Sequence, residues 1–332
     1  MYNVILGVDG GGTHSKIVAV DLEGHILARD EFGSLNYNSE SVPVCRKRLQ
    51  QAVANVLEKA GRENYDFLSV GLSALQGKAT YEKKRRFLGG KFDMGRVYLN
   101  SDIYMALTGA SLGRPEIMIV SGTGAMGIGR DQAGGIFTCG GYGYLVDNDR
   151  GSSYYIAMNG VIAAIDSAEG TGPKTALEEA VLEQFGIKRV QDIVYKLYAR
   201  DYHISQGAAF ARTVIALARQ GDAVAAGIVE KNLDILVQYA VRLAEKIHET
   251  GCGINLYGGL FQYNAHLREA FTRKVAAILP NAVVKLPRLP AEIGAVIEWF
   301  LQNGLLTQSV IDHLSAETKG DDGIVTGLSA VS

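Results

Sequence analysis

Val4-Ile5-Leu6-Gly7-Val8 is an apolar run that stops at Asp9, passes through Gly10, Gly11, Gly12 and Thr13, and resumes as Ile17-Val18-Ala19-Val20. β-Branched residues dominate both runs, so the pattern predicts two strands joined by a glycine hairpin turn. A third strand is expected from Ile26 to Phe32, after the turn Asp21-Leu22-Glu23-Gly24-His25. Apolar residues then recur at helical spacing from Ser41 to Ala60. Tyr65 to Leu72 and Arg96 to Leu99 read as strands, the first ending in the loop from Ser73 to Gly77. Asn100-Ser101-Asp102 follows the second, leading into a helix from Ile103 to Gly109. Strands alternating with helices predict an α/β layer architecture.

The opening pattern returns at Glu116. Ile117-Met118-Ile119-Val120 is an apolar strand, Ser121-Gly122-Thr123-Gly124-Ala125 a turn of small residues, and Met126-Gly127-Ile128-Gly129 a second strand. This weak internal repeat predicts two related domains facing each other across a cleft, with a boundary near Gly113-Arg114-Pro115. The expected division is 1–113 and 114–302, the second domain carrying a helical insertion and the tail from about 303 packing back on the first. Long amphipathic patterns from Ser205 to Gln220 and from Ala223 to Thr250 are separated by Gly221-Asp222. Strands are expected at Ile254 to Tyr257 and Ala282 to Leu286, and a helix from Pro290 to Gln302. The polar, glycine-rich tail from Lys319 is expected to be frayed or loosely docked.

Composition narrows the class. The chain has 332 residues, enough for two domains, and its 47% hydrophobic and 20% charged content is that of a globular protein. A net charge of −2 gives no global field for nucleic acid or an anionic membrane. The basic run Lys83-Lys84-Arg85-Arg86 reads as a solvated helix face. Cys45, Cys139 and Cys252 are far apart, with no metal or disulfide spacing, which suits reduced thiols in a cytoplasm. Neither a secretory leader nor a membrane span is apparent.

The glycine turns carry the candidate chemistry. Exposed amides in such a turn form a concavity suited to phosphate oxygens, although an ordinary tight hairpin has the same sequence. Asp9, ending a buried strand, is well placed to hold a phosphate-bound Mg²⁺. Two facing turns would grip a polyphosphate, with Thr13, Ser121 and Thr123 donating to its oxygens. Gly258-Gly259, after a buried strand, would let an adenine and ribose approach the backbone; a helix-entry glycine pair is the other reading. Asp102 is a candidate general base for a hydroxyl attacking a γ-phosphoryl group, or else a helix N-cap. The segment from Gly140 to Ser153 combines Gly141, Tyr142 and the acids Asp147 and Asp149, equipment for a sugar, though a surface loop can look the same. The six histidines show no metal-ligand spacing, and neither a GxSxG elbow nor a Walker P-loop is present.

Taken in order, these motifs resemble the BadF/BadG/BcrA/BcrD-type ATPase family, and within it the N-acetylglucosamine kinase-like sugar kinases of the actin/Hsp70/hexokinase-like fold. The stretches that carry the resemblance are GVDGGGTHSK from Gly7 to Lys16, the Asn36 turn, NSD from Asn100 to Asp102, and SGTGAMGIG from Ser121 to Gly129. GGYGYLVDNDRGSSYYIA from Gly140 to Ala157, GTGPKTAL from Gly170, GDAVAAGI from Gly221 and PAEIGA from Pro290 to Ala295 complete the set. The resemblance implies two ribonuclease-H-like domains, each built β-β-β-α-β-α-β-α, closing over ATP and sugar. It assigns Asp9 to Mg²⁺, and Gly10, Gly11, Gly12, Thr13, Lys16 and the Ser121-Gly122-Thr123-Gly124 turn to phosphate. Gly258 and Gly259 would lie near the adenosine. Asn36, Ser73, Asp102, Gly141, Tyr142 and Asp149 would line the sugar pocket, with Asp102 as the base. Tyr142 stands where the family usually has Trp, and Arg150 follows Asp149 where the family has an acid, a charge reversal that leans towards an acidic sugar such as N-acetylmuramate. The expected protein is an ATP- and Mg²⁺-dependent amino-sugar kinase, cytoplasmic and homodimeric, with a small sugar substrate and neither nucleic-acid nor membrane partners. The rivals are an ATP-driven dehydratase activator with an iron–sulfur cluster, for which Cys139 alone beside a glycine turn is thin equipment, and a non-catalytic ATP- or sugar-binding regulator.

Overall fold

The computed structural model describes residues 2–318. The tail from Lys319, expected to be loosely docked, lies outside the described residues. The chain forms two compact units. Among the described residues, the first holds those up to Glu116, the short return Arg130–Gly135, and residues 285–318; the second holds Ile117–Gly129 and Ile136–Val284.

In the first unit, strands β1 (Ile5–Gly10), β2 (His14–Val20), β3 (Ile26–Gly33), β4 (Phe67–Leu72) and β5 (Val97–Asn100) form one sheet in the order β3-β2-β1-β4-β5. β1 runs antiparallel to β2 and parallel to β4, and β4 runs parallel to β5. The unbroken apolar run of β1 has a simple cause: both of its faces are covered. Leu6 and Val8 join Ile17 and Ala19 in a core closed by Leu49, Val53 and Val56 of helix α1 (Val42–Lys59). Ile5, Val18 and Val20 face the other way, onto Ile293, Val296, Ile297 and Phe300 of the helix Ala291–Gln302 and Val310 and Leu314 of the helix Gln308–Thr318. Helices α2 (Tyr81–Leu88) and α3 (Asp102–Ser111) precede and follow β5. The basic run of α2 includes Arg85, whose side chain is 66% exposed.

The helix Ala291–Gln302 therefore packs in the first unit, whereas the sequence pattern grouped it with the second half. Glycines explain how closely it fits. A Cβ on Gly7 would overlap the Glu292 carbonyl, and one on Gly294 would overlap the Met105 carbonyl and lie 2.7 Å from the Gly109 amide. The backbones of α3 and this helix thus touch where they cross, which only a residue without a side chain permits.

In the second unit, β6 (Glu116–Ser121), β7 (Ala125–Arg130), β8 (Ile136–Gly140), β9 (Gly253–Tyr257) and β10 (Val283–Lys285) are ordered β10-β9-β6-β7-β8. Read from the other edge this is the first sheet again, strand for strand, with β6 in the place of β1. β8 is the strand to which the apolar pattern gave no range, although the resemblance implied it: of its five residues only Phe137 and Cys139 contribute apolar side chains to the core, and glycine ends it. Between β8 and β9 lie α4 (Tyr144–Asp147), α5 (Ser153–Glu169) and further helices, the longest being Ala223–Lys246. The single helix expected from Ser205 to Gln220 is two, Ile204–Ala208 and Ala211–Arg219. Phe210, at the break, is fully buried. No described helix is long and apolar enough to cross a membrane.

Candidate functional site

Each unit gathers its own set of candidate residues. In the first, parallel register aligns Asp9 with Gly71 and Gly71 with Asn100, a row at the carboxyl ends of β1, β4 and β5. This is the end of an α/β sheet where ligands are ordinarily held. Asp102 stands one residue past Ser101 at the head of α3, and Gly71 lets it come close: a Cβ there would lie 3.0 Å from the Asp102 Cα. Ser101 is the N-cap, its hydroxyl accepting from the Tyr104 amide at 3.3 Å. The capping alternative for Asp102 therefore falls to its neighbour. The Asp102 carboxylate accepts from the Ile103 amide at 2.7 Å, and burial pushes its pKa up to about 6, against the lowering effect of that bond and of its own amide.

Burial drives the Asp9 carboxyl well above the ordinary carboxylate range, the Asp102 and Glu292 charges add to the rise, and Lys16 opposes it. Lys16 is the cross-strand partner of Asp9 on β2 and also lies 3.8 Å from Glu31. Two further acids thus act on Asp9, and a bound Mg²⁺ would offset their effect on it. No group of three or more His, Cys, Asp or Glu able to hold a metal occurs among the described residues. Asp9 is the residue that would hold such an ion, which would neutralise phosphate charge. Glu292 has no role in the sequence reading. The PAEIGA stretch marked its position, but nothing local tied it to Asp9.

The first glycine turn is open. Gly12, Thr13 and His14 are exposed, and the Leu35 amide donates to the Gly11 carbonyl at 3.2 Å. Asn36 folds back on itself, its Oδ1 accepting from the Asn38 amide at 2.9 Å, which leaves its Nδ2 3.8 Å from a Cβ placed on Gly12. Ser73 follows β4, its amide donating to the Gly10 carbonyl at 2.9 Å and its hydroxyl buried without a protein partner. Asp9, the Gly10–Thr13 turn, Asn36, Ser73 and Asp102 are thus neighbours at one end of one sheet.

The second turn is built differently. Gly122 N–H donates to the Gly124 carbonyl at 2.9 Å, the Ser153 amide to the Gly122 carbonyl at 2.9 Å, and the Ser121 hydroxyl to the Gly151 carbonyl at 2.7 Å. The Ser121 proton, expected to serve a phosphate, is committed to the protein. Thr123, half-buried at the turn, keeps the hydroxyl that suits that role. Gly258, with φ of 96°, packs on the turn: a Cβ there would lie 2.5 Å from the Ser121 carbonyl oxygen. The third glycine turn therefore abuts the second.

Asp149 packs against the second turn. Its carboxylate lies 3.5 Å from a Cβ placed on Gly124 and accepts from the Ala125 amide, while burial and Asp147 raise its pKa. Asp147 Oδ1 accepts from the Asp149 amide at 3.1 Å. Asn148 and Asp149 hold positive φ of 61° and 50°, a strained pair fixed by these bonds. Residues 149–153 are thus the backing of the second turn, a long-range pairing that sequence spacing could not display. Gly141 sits beside Met126, and Tyr142 is 70% exposed, its ring open to a ligand.

Known proteins bear on this arrangement. An N-acetylmuramic acid/N-acetylglucosamine kinase of Clostridium acetobutylicum is 26% identical over 303 residues, 88% of this chain and 97% of that protein. An N-acetyl-D-glucosamine kinase of Dictyostelium discoideum is 23% identical over 89% of this chain and 97% of its own length. Among solved structures, a candidate N-acetylglucosamine kinase of Chromobacterium violaceum superposes with a TM-score of 0.69 at 22% identity, covering 89% of this chain and 98% of that one, a likeness of fold. With its profile matched from residue 6 to residue 298, across both glycine turns and the head of α3, the chain belongs to the BadF/BadG/BcrA/BcrD ATPase family.

Proposed function

We propose that this protein is an ATP-dependent amino-sugar kinase, with N-acetylglucosamine the leading substrate and N-acetylmuramate or glucosamine as close relatives of it. The observation that carries the reading is Asp102: a carboxyl group pushed up to about 6 by burial, at the head of a helix, beside the row of Asp9, Gly71 and Asn100. A base with its pKa near the working pH is what proton removal from a sugar hydroxyl requires. Relatives that cover 88%, 89% and 75% of the chain are named as kinases of these sugars.

In this reading the Gly10–Thr13 turn of the first unit offers amides and a hydroxyl to phosphate oxygens, and in the second unit the Thr123 hydroxyl suits phosphate and Gly258-Gly259 gives a nucleoside room against the backbone. Asp9 holds Mg²⁺, which when bound neutralises phosphate charge. Asn36, Ser73 and the Tyr142 ring orient the sugar. Asp102 takes the proton of the attacking hydroxyl as its oxygen bonds to the γ-phosphorus, and the bond to the β-phosphate oxygen breaks to release ADP. A homodimer and a cytoplasmic location belong to the same proposal; the three free thiols suit the second, and sedimentation would test the first.

A coupled ADP-release assay over N-acetylglucosamine, N-acetylmuramate, glucosamine, N-acetylmannosamine and glucose tests the substrate. Asp102→Asn is expected to lower turnover by about a hundredfold or more while ATP still binds, the scale of lost base catalysis. Near-normal turnover in that variant would remove Asp102 from the mechanism.

A further inference from the structure

Tyr104 lies in the first turn of α3, two residues beyond Asp102, and is buried together with Arg130 and Glu298. Its hydroxyl donates to Glu298 Oε2 at 2.9 Å and accepts from Arg130 Nη2. Arg130 also reaches Glu298 Oε2 at 3.5 Å and lies over the Tyr104 ring, while Gln302 Nε2 donates to Glu298 Oε1 at 2.8 Å. Glu298 and Gln302 are on the helix Ala291–Gln302, and Arg130, which ends β7, belongs to the first unit. A parallel set of bonds fixes the approach to Asp102. Asn100 Oδ1 accepts from the Ser101 amide at 2.8 Å, Asn100 Nδ2 donates to the Tyr98 hydroxyl at 2.9 Å, and the Tyr98 and Tyr104 rings lie 6.4 Å apart.

A buried ion pair of this sort is weak evidence for stability, because desolvation offsets most of its attraction. What it does supply is direction. Tyr104 is tied at both ends, by its amide to the Ser101 hydroxyl and by its phenol to Glu298, so the helical turn that carries Asp102 has one available placement. We propose that Tyr104, anchored by the buried Glu298–Arg130 pair, is a positioning residue that holds the first turn of α3, and with it the Asp102 carboxylate, in register with the Asp9 row. The inference rests on Asp102 being the base, and a displacement of about 1 Å at such a group is enough to cost rate heavily.

The test is Tyr104→Phe in the full-length protein, which keeps the ring and removes only the hydroxyl. Turnover with the sugar substrate is expected to fall about tenfold, with KM for ATP unchanged within about twofold. Amide exchange at Ile103, Tyr104 and Met105 is expected to quicken about tenfold relative to Leu107 through Ala110, as for a local opening. Glu298→Gln, which keeps an acceptor for the phenol, should retain most of the turnover, and Glu298→Ala should match Tyr104→Phe. Turnover within about twofold of the parent, or exchange that quickens evenly along α3, would overturn the proposal. If the parent protein phosphorylates no sugar, the kinase reading fails, and the exchange pattern still decides whether Tyr104 holds the turn.

Discussion

The two glycine turns occupy equivalent places in sheets of the same strand order, yet they are held in opposite ways. Ser121, Gly122 and Gly124 are tied by bonds to Gly151 and Ser153, by a bond inside the turn and by the packing of Gly258. Gly12 and Thr13 stand exposed, and the buried Asp9 carboxyl near the end of β1 feels the charges of Asp102 and Glu292. Burying acids together costs stability, and the hydrogen-bonded turn returns some of it. The contrast teaches that equivalent turns need not be built alike: the second is braced by its own chain, and the first stands open to solvent.

Three measurements break or sharpen that contrast. The largest effect is expected from Gly258→Ala. A side chain at a φ of 96° that also meets the Ser121 carbonyl should cost about 2–3 kcal/mol, read as a lowered Tm. A Tm unchanged by that substitution would show the second turn to be loose. Next comes pH. With the Asp102 pKa at about 6, kcat/KM should fall about tenfold per pH unit below that point, as the base is protonated. Because the folded pKa lies above the ordinary 3.8, this group's contribution to stability is full below that value and lost as pH rises through 6. Asp102→Asn should therefore melt higher than the parent at pH 8, with the gap closing towards pH 4, and melting curves at the two pH values decide it. The smallest effect on stability is expected at Gly12→Ala. Its nearest neighbour would be Asn36 Nδ2 at 3.8 Å, so the cost should stay within about 0.5 kcal/mol while KM for ATP rises. A large loss of Tm there would mean that the first turn is as tightly built as the second.

Much of the fold could be read from sequence because the signals were local. The apolar runs bounded by glycine at Asp9 and at Ser121 each announced a strand, a turn and a strand, and their likeness announced the duplication. What stayed hidden was pairing at a distance. The Pro290–Ala295 stretch announced a helix running to Gln302, but not that it rests on β1, and nothing in the spacing announced that the Asp149 carboxylate lies against Gly124 and Ala125. Tyr104, Arg130 and Glu298 are unremarkable letters until folding gathers them around one phenol. Asp102 could be singled out because a strand end followed by a helix start is itself a local pattern, while its alternative reading as the cap needed the Ser101 hydroxyl to be seen in the capping place.

The interleaving of the two units along the chain has a practical consequence. The backbone passes from one unit to the other after residues 116, 129, 135 and 284, so neither unit corresponds to an uninterrupted piece of the gene. A fragment ending near residue 113 lacks the helices that cover one face of its own sheet, and would show that greasy face to water. Neither unit is then a single cassette to be transplanted, and a ribosome must deliver the helices Ala291–Gln302 and Gln308–Thr318 before the second face of the first sheet is covered.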